Sequence, residues 1–209
     1  MRTSGEGIAA LAAHEGIVPA PYLDSVGVWT YGIGHTKAAG SPDPASLPKG
    51  MPGDISAAIT YAVEVFRGDL VKYENDVTRA VKVKLHQYEF DALVSFHYNT
   101  GGIFKANLTK KLNAGDRAGA TKAFMGWKRP PEIIPRRKEE QRLFRDGVYS
   151  EKKIAVWRVG ANGKLLGTFR TCSQAEFLRL MRGAPEKTAK APQASSFLEI
   201  LLGALWGKK

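Results

Sequence analysis

Cysteine, long apolar runs and acidic residues are all scarce in this 209-residue chain. The single cysteine, Cys172, excludes an internal disulfide, and no histidine–asparagine pair near it indicates a thiol protease. No stretch reaches the roughly 20 apolar residues that span a bilayer. The first residues hold no unbroken apolar segment of the secretory type, so we expect synthesis in a cytoplasm.

The chain also lacks the residue spacing of a metal site. It has 4 histidines, and His86 and His97 have no Asp, Glu or Cys at ligand spacing, so we predict no metal and no cofactor. Basic residues outnumber acidic ones by 31 to 20, and residues 151–209 alone carry 11 basic and 4 acidic residues. Such a charge attracts polyanions in general. No nucleic-acid-binding motif is present, so no specific nucleic-acid partner is expected.

The residues that can carry chemistry are concentrated near the start of the chain. Eight residues separate Glu15 from Asp24, and five separate Asp24 from Thr30. Glu15 ends a helix-periodic apolar run and is followed by a glycine helix stop, while Asp24 and Thr30 flank a turn between two short strands. Two carboxylates and a hydroxyl are what the hydrolysis of a glycosidic bond requires: one acid for the leaving oxygen, and groups that stabilise positive charge and aim a water.

This pattern resembles the phage-type lysozymes, glycoside hydrolase family 24. The spacing of the three residues is followed by Gly-Ile-Gly-His, and the resemblance extends over roughly residues 5–147. It includes the segments from Gln87 to Asn99, from Leu108 to Asp116 and from Pro135 to Glu140. The ordered set of blocks is specific for the family, although no single block is.

The resemblance implies a muramidase that cuts the β-1,4 bond between N-acetylmuramic acid and N-acetylglucosamine in peptidoglycan. Glu15 would be the general acid, Asp24 would stabilise the oxocarbenium-like centre and help place the water, and Thr30 would orient that water. Inversion of configuration is implied as well, with carboxylates about 6.5–9.5 Å apart. Reaching peptidoglycan from the host cytoplasm would then need a pore, delivery by the virion, or lysis.

Three further residues are candidates for the cleft. Arg137 matches a family arginine beside the acid, or it is a helix-surface charge next to Glu140. His35 is a second acid–base group or, as we prefer, a structural hydrogen-bond or ion-pair partner. Asn99 is a substrate contact or part of a sharp helix-ending turn.

The expected fold is α+β and mainly helical, with a small β-hairpin lobe, a larger helical lobe and a cleft between them. Residues 1–147 form the predicted catalytic domain, and residues 148–182 form a small hairpin-plus-helix extension that packs on it or serves as a binding appendage. The loop over 37–53 is a substrate-facing flap or a passive insertion. The predicted elements are helices at 5–16, 54–80, 87–99, 105–114, 116–127, 135–146 and 173–182, a hairpin over 22–36, and strands at 154–159 and 165–169.

The end of the chain has a different character. Residues 183–195 are rich in Pro, Ala, Lys and Ser and are predicted to be a linker. Residues 196–209 begin with a capping box and predict an apolar helix, which either docks on this protein or a partner, or lies on a membrane surface. A monomer is expected. The alternative to a hydrolase is a non-catalytic envelope-binding or virion structural protein that has the same fold.

Overall fold

The computed structural model of the protein describes residues 1–183. The predicted terminal helix over 196–209 and nearly all of the predicted linker over 183–195 therefore lie outside the described residues. No helix within residues 1–183 combines the length and the apolar character needed to cross a membrane. The described elements confirm the expected α+β, mainly helical fold. The helices are α1 Gly5–Glu15, α2 Ile55–Ala80, α3 Gln87–Thr100, α4 Asn107–Asn113, α5 Arg117–Ala123, α6 Ile134–Asp146 and α7 Gln174–Gly183. The strands are β1 Val18–Leu23, β2 Trp29–Gly32, β3 His35–Thr36, β4 Ile154–Val159 and β5 Leu165–Cys172.

The small lobe is a three-stranded antiparallel sheet in the order β1–β2–β3. Thr30, in the central strand, faces Tyr22 on one side and Thr36 on the other. Gly27 in the β1–β2 turn has a φ of 79°, a left-handed conformation that side chains with a Cβ rarely adopt. The paired strands and the tight turn hold the segment between Asp24 and Thr30 in one geometry.

The long helix α2 packs against both lobes. Asp54 caps its first turn by accepting a hydrogen bond from the Ala57 amide at 2.9 Å, which satisfies an amide that the helix itself cannot pair. Its buried residues recur at helical spacing and face β1, β2, α3 and α7. They are Ile59, Ala62, Val63, Val65, Phe66, Leu70, Glu74, Asp76, Val77 and Ala80.

Helix α3 forms the centre of the larger lobe. Phe90, Leu93, Val94 and Phe96, the residues expected in the core, are each exposed by 1% or less. Helix α5 ends at Ala123, earlier than the predicted residue 127, because a 3₁₀ turn over 124–126 follows. The helical lobe therefore has a core built around one buried helix, which supports the elements that line the site.

The extension of residues 148–182 is packed onto the rest of the chain. Strands β4 and β5 form an antiparallel hairpin, and α7 contacts α1 and α2. Val156, Cys172 and Phe177 are fully buried in the same core as α1, α2 and α3. The backbone amide of Val159 also donates to the Met51 sulfur at 3.4 Å, which fastens the loop over 37–53 to β4. The extension thus shares the main core and is not a separate appendage.

Candidate active site

Glu15 is the last residue of α1, where the helix ends abruptly. Gly16 follows with a φ of 75°, and its amide donates to the Ala12 carbonyl to close the last turn. The buried side of α1 (residues 7–12) anchors the helix in the core, whereas Glu15 itself is exposed. A carboxylate at the end of a well-anchored helix is held at a fixed place while remaining accessible to a ligand.

Asp24 lies at the start of the β1–β2 turn. Its Oδ1 accepts hydrogen bonds from the amides of Val26 at 2.9 Å and Val28 at 2.8 Å. None of the hydrogen bonds among the described residues involves its Oδ2. Two amide donors fix the orientation of the Asp24 carboxylate and leave its Oδ2 available to a ligand.

Thr30 is 4% exposed, and its hydroxyl donates to the Val28 carbonyl at 3.1 Å. Because the hydroxyl proton is engaged by that carbonyl, the oxygen lone pairs are the part of Thr30 that can receive a hydrogen bond from a water. The turn that fixes Asp24 therefore also fixes Thr30.

Tyr22, which sequence reasoning did not select, pairs with Thr30 between β1 and β2. Burial, together with the charges of Asp24 and Glu15, raises the pKa of Tyr22 to about 12. The phenol is therefore protonated at neutral pH and can act as a donor.

Glu15 is linked to a network of buried ion pairs. The Arg136 Nη1 donates to Glu15 Oε1 at 2.6 Å, and its Nε donates to Glu140 Oε1 at 3.0 Å. Ser95 donates to the same Glu140 oxygen at 2.8 Å. Arg137 pairs with the other Glu140 oxygen at 2.6 Å. A buried ion requires both a countercharge and hydrogen bonds. This network supplies them to Arg136 and so fixes the guanidinium that contacts Glu15.

Comparison with known proteins identifies the family of this chain. The Phage lysozyme family model matches residues 12–140, which include all three of the predicted catalytic residues. The chain belongs to the phage lysozyme family. The endolysin of Salmonella phage P22 is 34% identical over 150 residues, covering 69% of this chain and 98% of that protein.

Solved structures with a similar fold include a phage endolysin and a muramidase domain. An endolysin from the Escherichia coli O157:H7 phage FAHEc1 superposes with a TM-score of 0.62 at 28% identity, over 72% of this chain and 97% of that one. The muramidase domain of SpmX from Asticaccaulis excentricus gives a TM-score of 0.56 at 25% identity, over 69% and 97%. The protein is therefore a glycoside hydrolase of the muramidase type that acts on peptidoglycan.

The arginine that contacts Glu15 is Arg136, one residue before Arg137, which the sequence-based prediction placed there. Arg137 is fully buried, pairs with Glu140, and donates through Nη2 to Asn99 Oδ1 at 2.6 Å. It is therefore neither a cleft arginine in contact with the acid nor a surface charge. Consecutive residues of a helix point about 100° apart, and only the packing of α6 decides which of the two faces Glu15.

The remaining candidates, His35 and Asn99, have hydrogen-bond partners other than Glu15. The His35 ring is 1% exposed and bridges Asp69, at 2.9 Å from Nδ1, and the Pro42 carbonyl, at 2.8 Å from Nε2. Burial lowers its pKa, but the hydrogen bonds to Asp69 and Pro42 outweigh burial and raise the pKa above its ordinary value. The ring thus joins β3, α2 and the loop over 37–53. Asn99 is exposed but its side-chain oxygen is engaged by Arg137.

His14, next to Glu15 in the sequence, has a different environment. Burial, reinforced by the Arg136 guanidinium, lowers the pKa of His14 to about 4. The ring is therefore neutral at neutral pH and does not offer a second acid to the site. Among the described residues, no group of three or more His, Cys, Asp or Glu side chains is arranged to hold a metal ion.

Proposed function

We propose that the enzyme hydrolyses the β-1,4 bond between N-acetylmuramic acid and N-acetylglucosamine, with Glu15 as the general acid. The observation that carries the proposal is an accessible carboxylate at the end of α1, oriented by Arg136, together with a second carboxylate, Asp24, that the amides of the β1–β2 turn hold. Most glycosidases use two carboxyl groups in different surroundings, one as the general acid and one on the other side of the scissile bond.

Glu15 enters the reaction protonated and donates its proton to the leaving glycosidic oxygen. Arg136 approaches Oε1, so the proton belongs on Oε2, which is the oxygen that points away from that contact. The guanidinium can continue to donate to Oε1 in both protonation states. It therefore fixes the orientation of the acid throughout the cycle.

Asp24 and Thr30 act on the other side of the bond. The amides of Val26 and Val28 hold Oδ1 of Asp24, and Oδ2 faces the developing positive charge and takes up the proton that the attacking water loses as it bonds to the anomeric carbon. The Thr30 oxygen accepts a hydrogen bond from that water and orients it. A water between the groups leads to inversion, so the first reducing end formed from the β-linkage has the α configuration.

Digestion of purified peptidoglycan sacculi, followed by separation of the muropeptides, tests this function. We expect new free reducing ends at N-acetylmuramic acid. 1,6-Anhydro products would identify a lytic transglycosylase, which needs the acid but no positioned water. Binding to sacculi without any product would favour the non-catalytic alternative.

A further inference from the structure

The hairpin β4–β5 contacts the segment from Glu15 to Asp24 close to both of its ends. The Phage lysozyme family model stops at residue 140, so this hairpin lies outside the matched residues. The contacts are backbone hydrogen bonds and close packing at Gly16, after α1, and at Gly163, in the hairpin turn, and they fall next to the two carboxylates assigned above.

The first contact lies two residues after Glu15. The Ile17 amide donates to the Ala155 carbonyl at 2.8 Å, and the Ile17 carbonyl accepts from the Trp157 amide at 2.8 Å. This is a parallel bridge between Ile17 and Val156. The Trp157 indole also lies against Gly16, where an added Cβ would be only 2.6 Å from its Nε1. The end of α1 is therefore fixed by β4.

The second contact lies one residue before Asp24. The Leu23 amide donates to the carbonyl of Gly163, in the β4–β5 turn, at 2.9 Å. Gly163 has a φ of 79°, and a Cβ there would be 2.6 Å from the Trp29 ring. The turn thus lies against both strands that carry the Asp24 turn.

Apolar packing joins the two contacts. Val18 and Ala20 of β1 form a small buried cluster with Val159 of β4. The far side of the hairpin is anchored in the main core through fully buried Ile154 and Cys172. The hairpin is consequently packed between the main core and the segment from Glu15 to Asp24.

We propose that β4–β5 is a positioning clamp that fixes the distance and the orientation between Glu15 and Asp24. The hairpin holds the segment through its backbone hydrogen bonds to Ile17 and Leu23. Gly163 is a positioning residue that acts through Leu23. The proposal rests on the proposed roles of the two carboxylates. Because a displacement of about 1 Å between reacting groups can cost about 100-fold in rate, the clamp should affect turnover much more than substrate binding.

Gly163→Ala, compared with Gly167→Ala, tests the clamp. Both glycines have a left-handed φ in the same hairpin, so both substitutions strain its backbone, but a Cβ at Gly167 meets nothing within 4 Å. We expect Gly163→Ala to lower kcat on soluble peptidoglycan fragments by about 10- to 100-fold and to leave KM within about twofold. Gly167→Ala should keep the wild-type kcat at a temperature where both variants are folded.

Hydrogen exchange provides a readout that does not depend on catalysis. In Gly163→Ala the Leu23 amide should lose protection while the Ile17 amide keeps it. The proposal is overturned if the Leu23 amide is exposed and kcat is unchanged, or if both glycine variants lower kcat equally. An inactive wild-type protein would instead refute the proposed function, and the exchange result would still report whether the contact exists.

Discussion

Arg136 is the residue that most directly determines where the proposed acid lies. It joins Glu15 to the buried Glu140, so the position of an exposed carboxylate depends on a charge inside the core. The sequence predicts an arginine here but assigns Arg137, since the rotation of α6 about its axis is not set by local pattern. Glu15, Asp24 and Thr30 could be selected from the sequence because a helix end and a short turn place them locally.

The hydrogen bonds of the His35 ring to Asp69 and to the Pro42 carbonyl make a pH-dependent contribution to stability. Its folded-state pKa lies above the ordinary value of 6.5, so the protonated ring stabilises the fold. That stabilisation is fully present below pH 6.5 and is lost as the pH rises through the raised pKa. Asp69→Asn removes the partner of the ring and should therefore destabilise the protein more at about pH 5.5 than at about pH 9.

Urea unfolding of wild type and Asp69→Asn at the two pH values measures this difference. Asp43→Asn is a suitable control, because its exposed pair with Lys37 contains no histidine. An Asp69→Asn effect that is equal at both pH values, or larger at the higher one, contradicts the assignment of a protonated His35.

At the scale of elements, local pattern predicts helices and strands well and their long-range contacts poorly. The apolar spacing of α2 and the capping side chain of Asp54 are visible in the sequence. Helix α5 was predicted too long because the 3₁₀ turn over 124–126 keeps a helix-like pattern. The bridge between Ile17 and β4 joins residues far apart in the chain, so no local signal reports it.

The extension contributes to the stability of the whole fold through α7. Phe177 is fully buried in the main core, whereas Phe169, also in the extension, is 40% exposed. We expect Phe177→Ala to lower the free energy of unfolding by about 3–5 kcal/mol, the usual cost of a large core cavity, and Phe169→Ala to lower it by less than about 1 kcal/mol.

Thermal unfolding followed by circular dichroism, and by the fluorescence of Trp29 and Trp127 in a background with Trp157→Phe and Trp206→Phe, measures both variants. The two signals should shift together in Phe177→Ala, because the extension and the catalytic part share one core. A variant whose tryptophan signal keeps the wild-type midpoint would indicate that the extension unfolds separately.

At the scale of the whole molecule, the candidate site near the start of the chain contacts a hairpin that lies about 140 residues later in the sequence. The charge is distributed unevenly too: residues 151–209 hold 11 of the 31 basic residues but only 4 of the 20 acidic ones. A basic C-terminal quarter is suited to an anionic envelope substrate. The family resemblance could be recognised from the sequence, whereas the integration of the extension required the tertiary structure.

The central claim is that Glu15 supplies the proton that breaks the glycosidic bond, and Glu15→Gln tests it most directly. Glu6→Gln, at the other end of α1, is the matched control. The rate of release of reducing ends from sacculi should fall by about 10²–10⁴-fold in Glu15→Gln and stay at the wild-type value in Glu6→Gln, with both variants folded. Turnover by Glu15→Gln at the wild-type rate would contradict the account and remove Glu15 from its role.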